Sequence, residues 1–126
     1  LNEKFRLIAE NQHAFSIIIK EPLLDGHCLV LPKRHVTHLK ELNPEESKDL
    51  HDLIAQVREK IEQEFNSNSL VALNGKKVAT QEHIHYQILP LPMEVAIRSL
   101  VSKTLGVPER REASKDETMK VAEKLR

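Results

Sequence analysis

The 126-residue sequence contains a single cysteine, Cys28, so an internal disulfide and a Cys-x-x-Cys metal knuckle within these residues are both excluded. It lacks an excess of charge of either sign. Lys plus Arg and Asp plus Glu each number 19, and the formal net charge is zero. That balance argues against a protein that grips nucleic acid by broad electrostatics and leaves only a local basic pocket for such a partner. No apolar run approaches the roughly 20 residues that span a bilayer, and no signal-peptide pattern is present. The expectation is a cytoplasmic protein without a membrane partner. Internal repeats and low-complexity segments are missing too. With 40% hydrophobic and 30% charged residues the composition is that of an ordinary globular protein, and the length leaves no room for two independent cores.

What is present divides into strands first and helices later. Phe5 to Ala9 is a short apolar-rich piece, and His13 to Ile19 carries the β-branched run Ile17-Ile18-Ile19, with Asn11-Gln12 as a turn between them. Pro22 and Asp25-Gly26 interrupt the chain before His27-Cys28-Leu29-Val30-Leu31, a strand that Pro32 ends. Two strands joined by a short connection containing glycine suggest antiparallel pairing. Asn43 followed by Pro44 and Glu46 predicts a capped helix start, and Leu50, Leu53, Ile54, Val57, Ile61 and Phe65 recur at helical spacing behind it. Asn66-Ser67-Asn68-Ser69 breaks that helix, Leu70 to Leu73 reads as a strand, and Asn74-Gly75 as a turn. After Pro90-Leu91-Pro92 come an irregular helix ending at Gly106 and a last helix opened by Ser114 and Glu117. The class is α+β.

One segment carries chemistry. In His83-Ile84-His85-Tyr86-Gln87-Ile88-Leu89 two imidazoles and an amide alternate with apolar residues. On a strand His83, His85 and Gln87 would share one face, with Ile84, Tyr86 and Ile88 turned to a core. Three readings compete for that polar face. It is simply the outward face of a strand; or it is a metal-ligand pair, completed by His27, His35 or His38; or one histidine attacks phosphorus while its neighbours orient the ring and hold phosphate oxygens. His13, His38 and His51 read as surface or structural residues.

The order of motifs discriminates among these. Glu10-Asn11 with Ala14-Phe15, Pro22 with Gly26-His27, Leu29-Val30-Leu31-Pro32-Lys33-Arg34-His35, a long helix, Asn74-Gly75 and then His83-x-His85-x-Gln87 follow one another. In this the chain resembles the histidine triad (HIT) superfamily over roughly residues 10–92. The resemblance implies a HIT-like α+β fold: a mostly antiparallel five-stranded sheet with one long helix over residues 1–92, and a helical C-terminal extension, residues 93–126, packed on the same domain. It implies that His85, the middle triad position, attacks the α-phosphate of a nucleotide to give a covalent nucleotidyl-histidine, which water or another acceptor then resolves. By the same resemblance His83 orients the nucleophile by a hydrogen bond, His27 lines the site, and Asn74 and Thr80 contact phosphate. A nucleotide or nucleoside phosphate substrate, hydrolase or transferase activity, no cofactor and a homodimer complete the expectation.

Three departures qualify that pattern. The third triad position is Gln87, as in the uridylyltransferase branch and the CwfJ-type HIT-like domains; an amide donates to a phosphoryl oxygen but does not titrate. Ile19 stands eight residues before His27, where the family places an Asp or Asn for the ribose hydroxyls. Lys76 and Lys77 replace a glycine-rich approach to His83. The alternative function is therefore a catalytically weak or inactive nucleotide- or RNA-binding module on the same scaffold. Relatives that hold zinc do so with a Cys-x-x-Cys pair and histidines at the positions of His35 and His83; without the cysteines no complete metal site is expected within these residues.

Overall fold

Five strands among the described residues form one antiparallel sheet in the computed structural model, which describes residues 3–73 and 83–126. In chain order they are β1 (Leu7–Glu10), β2 (Ala14–Ile18), β3 (Cys28–Pro32), β4 (Asn68–Ala72) and β5 (Tyr86–Leu91). In space the order is β1-β2-β3-β5-β4, so β3 lies at the centre and all five of its residues are buried. Strand β2 pairs with it from Ala14 opposite Pro32 to Ile18 opposite Cys28, and β5 from Val30 opposite Tyr86 to Cys28 opposite Ile88. The long helix α1 (Pro44–Phe65) crosses between β3 and β4.

Helix α1 begins where its sequence says it should. The Asn43 side chain accepts from the Glu46 backbone N–H at 2.8 Å, and the Glu46 carboxylate accepts from the Asn43 N–H at 3.0 Å. These reciprocal bonds satisfy donors that a helix start leaves orphaned, and Pro44 has no N–H to lose. At the other end Asn66 takes the left-handed conformation (φ 48°) and its N–H closes on the Glu62 carbonyl. Leu50, Leu53, Val57 and Ile61 form the buried stripe. They pack against Ala14, Cys28, Val30 and Ile88, which makes one face of the sheet the main core.

The other face is set by strand alternation. Ile17, Leu29 and Leu31 are buried there, with Phe15 and Ile19 against them. Gln87 stands opposite Leu29 in the ladder and therefore belongs to this second face, whereas its neighbour Ile88 is in the helix-side core, with Tyr86 packed against it. Polar chemistry is thus placed on the side of the sheet that α1 does not cover.

Element boundaries depart from expectation in three places. The first strand starts two residues late, at Leu7, after a 3₁₀ turn over Lys4–Arg6, and its pairing slips between Leu7 and Ala9. Two residues, Asn66 and Ser67, are enough to break α1, and β4 already begins at Asn68. Strand β5 begins at Tyr86, so His83, Ile84 and His85 lie in its lead-in and not on the strand itself. The chain clusters into two compact units, Leu1–Met93 and Glu94–Arg126. The second contains α2 (Ile97–Leu105), closed by Gly106 at φ 68°, and α3 (Lys115–Leu125), capped by Ser114 and Glu117.

Candidate active site

The lead-in to β5 is held by two local contacts. The Ile84 N–H donates to the Val36 carbonyl at 2.8 Å, which ties this segment to the loop after β3. His85 Nδ1 lies 3.0 Å from the His83 carbonyl oxygen. A carbonyl can only accept, so Nδ1 carries a proton and donates it, and in the neutral ring the lone pair is then on Nε2. The hydrogen bond that orients His85 therefore comes from the backbone of His83, not from its ring. His85 is half-buried, as is Gln87 two residues later.

His83 has a different environment. Its ring centroid lies 4.9 Å from that of His35, the planes inclined by 53°. Its Nε2 is buried and, among the described residues, has no hydrogen-bond partner. Burial pushes its pKa below the usual histidine range, the His35 ring adds to that, and the carbonyls of Pro32 and Arg34 oppose it. The ring therefore favours its neutral form. His35 and His83 supply two imidazoles that a metal could use, but no group of three His, Cys, Asp or Glu side chains is close enough to hold one among the described residues.

His27 is 2% exposed at the entrance to β3. Its Nε2 is 2.9 Å from Gln87 Oε1, and its Nδ1 accepts from the Leu23 backbone N–H at 3.1 Å. His27 and Gln87, sixty residues apart in the chain, are thereby one hydrogen-bonded unit on the second face of the sheet. Ile19 packs against the apolar cluster of that face, and its N–H donates to the His27 carbonyl at 3.2 Å. Asn74 and Thr80, with Lys76 and Lys77, lie outside the described residues.

A cavity of about 540 Å³ opens beside His83, lined by Lys4, Leu7, Glu10, Phe15 and Lys33. Lys33 and Glu10 are paired across it at 3.1 Å. In the sequence Glu10, Phe15 and Lys33 are only markers of a motif; nothing in their spacing shows that β1, β2 and the end of β3 bring them around one hollow. Arg34 was likewise a motif residue. Its guanidinium grips both Glu46 carboxylate oxygens, at 2.9 and 2.8 Å, and pins the loop after β3 to the start of α1. That is the loop whose Val36 carbonyl holds Ile84.

This arrangement of sheet, crossing helix and histidine-bearing lead-in to β5 agrees with the comparisons to known proteins. The HIT domain model matches residues 2–92. The chain belongs to the HIT domain family. It is 36% identical over 80 residues to the bis(5'-adenosyl)-triphosphatase of Dictyostelium discoideum, covering 61% of this chain and 54% of that one. To the asymmetrical bis(5'-nucleosyl)-tetraphosphatase of Schizosaccharomyces pombe it is 37% identical over 73 residues, 56% of this chain and 40% of the other. The chain thus spans about half the length of these curated relatives. The crystal structure of Plasmodium falciparum diadenosine triphosphate hydrolase in complex with cyclomarin A shares the fold, with TM-score 0.69 at 23% identity over 80% of this chain and 72% of that one.

Proposed function

We propose that this protein hydrolyses nucleoside phosphoanhydrides through a covalent nucleotidyl-histidine on His85. The observation that carries the reading is the His85 Nδ1 contact: Nδ1–H donates to the His83 carbonyl, so the neutral ring has its lone pair on Nε2. In the first step that lone pair forms a bond to the α-phosphorus, and the bond from phosphorus to the bridging oxygen breaks. The electron pair leaves with the departing phosphate. In the second step a water oxygen attacks the phosphorus, the P–N bond breaks, its electrons return to Nε2, and the water proton passes to solvent. Gln87 donates N–H to a phosphoryl oxygen as charge develops. Asn74 and Thr80 are assigned to phosphate contact by resemblance, and the cavity beside His83, with the Phe15 ring in its wall, takes the nucleoside.

The relatives named for dinucleoside polyphosphate hydrolysis support this choice of substrate and of water as acceptor. The same family supports a two-fold homodimer, for which β1 and β4, at the outer ends of the sheet, offer edges that no other strand of the described residues pairs. Sedimentation should then report twice the monomer mass.

The decisive experiment mixes the protein with diadenosine triphosphate, quenches in base and weighs the intact chain. An adenylyl adduct on wild type, absent from His85→Ala, is expected, with turnover lowered on the order of 10⁴-fold or more. A second reading, a binding module with little or no turnover, is favoured by aliphatic Ile19 where the family has a hydroxyl-binding side chain. Tight adenosine monophosphate binding with neither adduct nor turnover would establish it instead.

A further inference from the structure

Both nitrogens of the His27 ring are committed, and the commitment has a direction. Nδ1 sits 3.1 Å from the Leu23 backbone nitrogen. A peptide N–H can only donate, so Nδ1 must present a lone pair. A neutral imidazole without a proton on Nδ1 carries it on Nε2, and Nε2 faces Gln87 at 2.9 Å. A donor there requires an acceptor opposite. The amide of Gln87 must therefore turn its oxygen to His27, because the reverse orientation would set N–H against N–H on an imidazole that is almost fully buried. The amide nitrogen, with two protons, is left pointing away from His27. Among the described residues the only side-chain hydrogen bond of Gln87 is the one to His27.

We infer that His27 is a positioning residue whose single tautomer aims the Gln87 NH₂ group at the phosphoryl oxygens of a substrate held on His85. This rests on His85 as the nucleophile. The resemblance makes His27 a residue that lines the site; the geometry gives it no free nitrogen with which to touch substrate, and no proton that it can release without breaking its contact to Gln87. Its action passes through the amide. His27 and Gln87 together supply oriented N–H dipoles, and because the amide does not titrate, the donor that faces phosphate is fixed in place of a titrating acid. Gly26, immediately before His27, has φ 96°, and this turn delivers the ring to the start of β3.

The test has a structural arm and a kinetic arm. Nitrogen-15 spectra of the ligand-free wild type should show His27 as the Nε2–H tautomer. The two α-phosphorothioate diastereomers of diadenosine triphosphate probe the donor, since sulfur accepts a hydrogen bond poorly. Wild type should prefer one diastereomer by about tenfold or more, and His27→Ala should lose that preference with kcat lowered about ten- to a hundredfold. His27→Gln restores an N–H near the Nε2 position and should recover part of the preference. In a double-mutant cycle, His27→Ala should add nothing to Gln87→Ala. An Nδ1–H tautomer, additive losses, or an unchanged diastereomer preference in His27→Ala would each overturn the inference. Wild type with the Nε2–H tautomer but no adduct on His85 would overturn the nucleophile reading, and the role toward substrate with it, while the orientation of the Gln87 amide stands.

Discussion

Cys28 sits at the first position of the central strand with no exposure, and burial pushes its thiol up to about 11. The thiolate needed for alkylation is thus scarce and screened at once. Native protein at pH 8 should react with iodoacetamide only as fast as it unfolds, and one equivalent should be taken up promptly in denaturant. Fast labelling of folded protein would place β3 wrongly. Glu46 is the opposite case. The Arg34 guanidinium and the Asn43 N–H hold its carboxyl down to about 2 from an ordinary 4.5. A depressed folded pKa means stability that is complete above about pH 4.5 and lost as pH falls toward about 2. Glu46→Gln should therefore melt several degrees below wild type at pH 7, and the gap should close across that acid window. A gap that persists to pH 2 would show that the substitution acts through something other than the charge. His83 shifts in the same direction, so its neutral ring also favours folding, with loss as pH falls below the usual histidine range.

Helix α1 was legible almost to the residue because its signals are local: Asn43, Pro44 and Glu46 lie within one turn, and the apolar stripe repeats every three or four positions. Asn43→Ala should cost about 1 kcal/mol in denaturant unfolding, since the Glu46 N–H loses its acceptor. Strand β5 shows where local signals stop. Alternation from His83 to Leu89 reads as one strand, but the ladder ends at Val30 opposite Tyr86. The next pairs would need Leu31 and then Pro32, and proline has no N–H to give. The backbone of Ile84 bonds instead to Val36, and His83 offers its carbonyl to the His85 ring. Period-two patterning can show which residues share a face, but the partner strand decides how far pairing runs. For the same reason the motif order pointed to His27, His85 and Gln87, whereas the cavity residues and the Arg34–Glu46 clamp emerged only from contacts distant in sequence. Gly26 is the sharpest test of the turn before β3. A Cβ there would meet the Phe65 ring at 2.7 Å on a backbone at φ 96°. Gly26→Ala should cost about 1–3 kcal/mol, and it should lower turnover beyond what the stability loss explains, because His27 moves with it.

At the scale of the whole molecule the apolar interior falls within one unit. Among the described residues the hydrophobic core runs from Ala14 to Ile88, on one or the other face of the sheet, and no residue of α2 or α3 is buried. Hydrophobic burial is the main force that drives folding, at roughly 25 cal/mol for each Å² of apolar surface. Stability should therefore reside in Leu1–Met93, and the helices of Glu94–Arg126 should contribute little to it. A chain ended after Met93 should keep the circular-dichroism signature of sheet plus one helix, should unfold in a single cooperative transition, and should melt within a few degrees of the full chain. It should also still form the adduct on His85, since His27, His85, Gln87 and the cavity all lie before that point. Leu53→Ala, at a fully buried position of α1, gives the contrast: a loss of about 2–5 kcal/mol in either length of chain. A broad, non-cooperative melt of the shorter chain would instead show that Leu1–Met93 does not complete its fold alone.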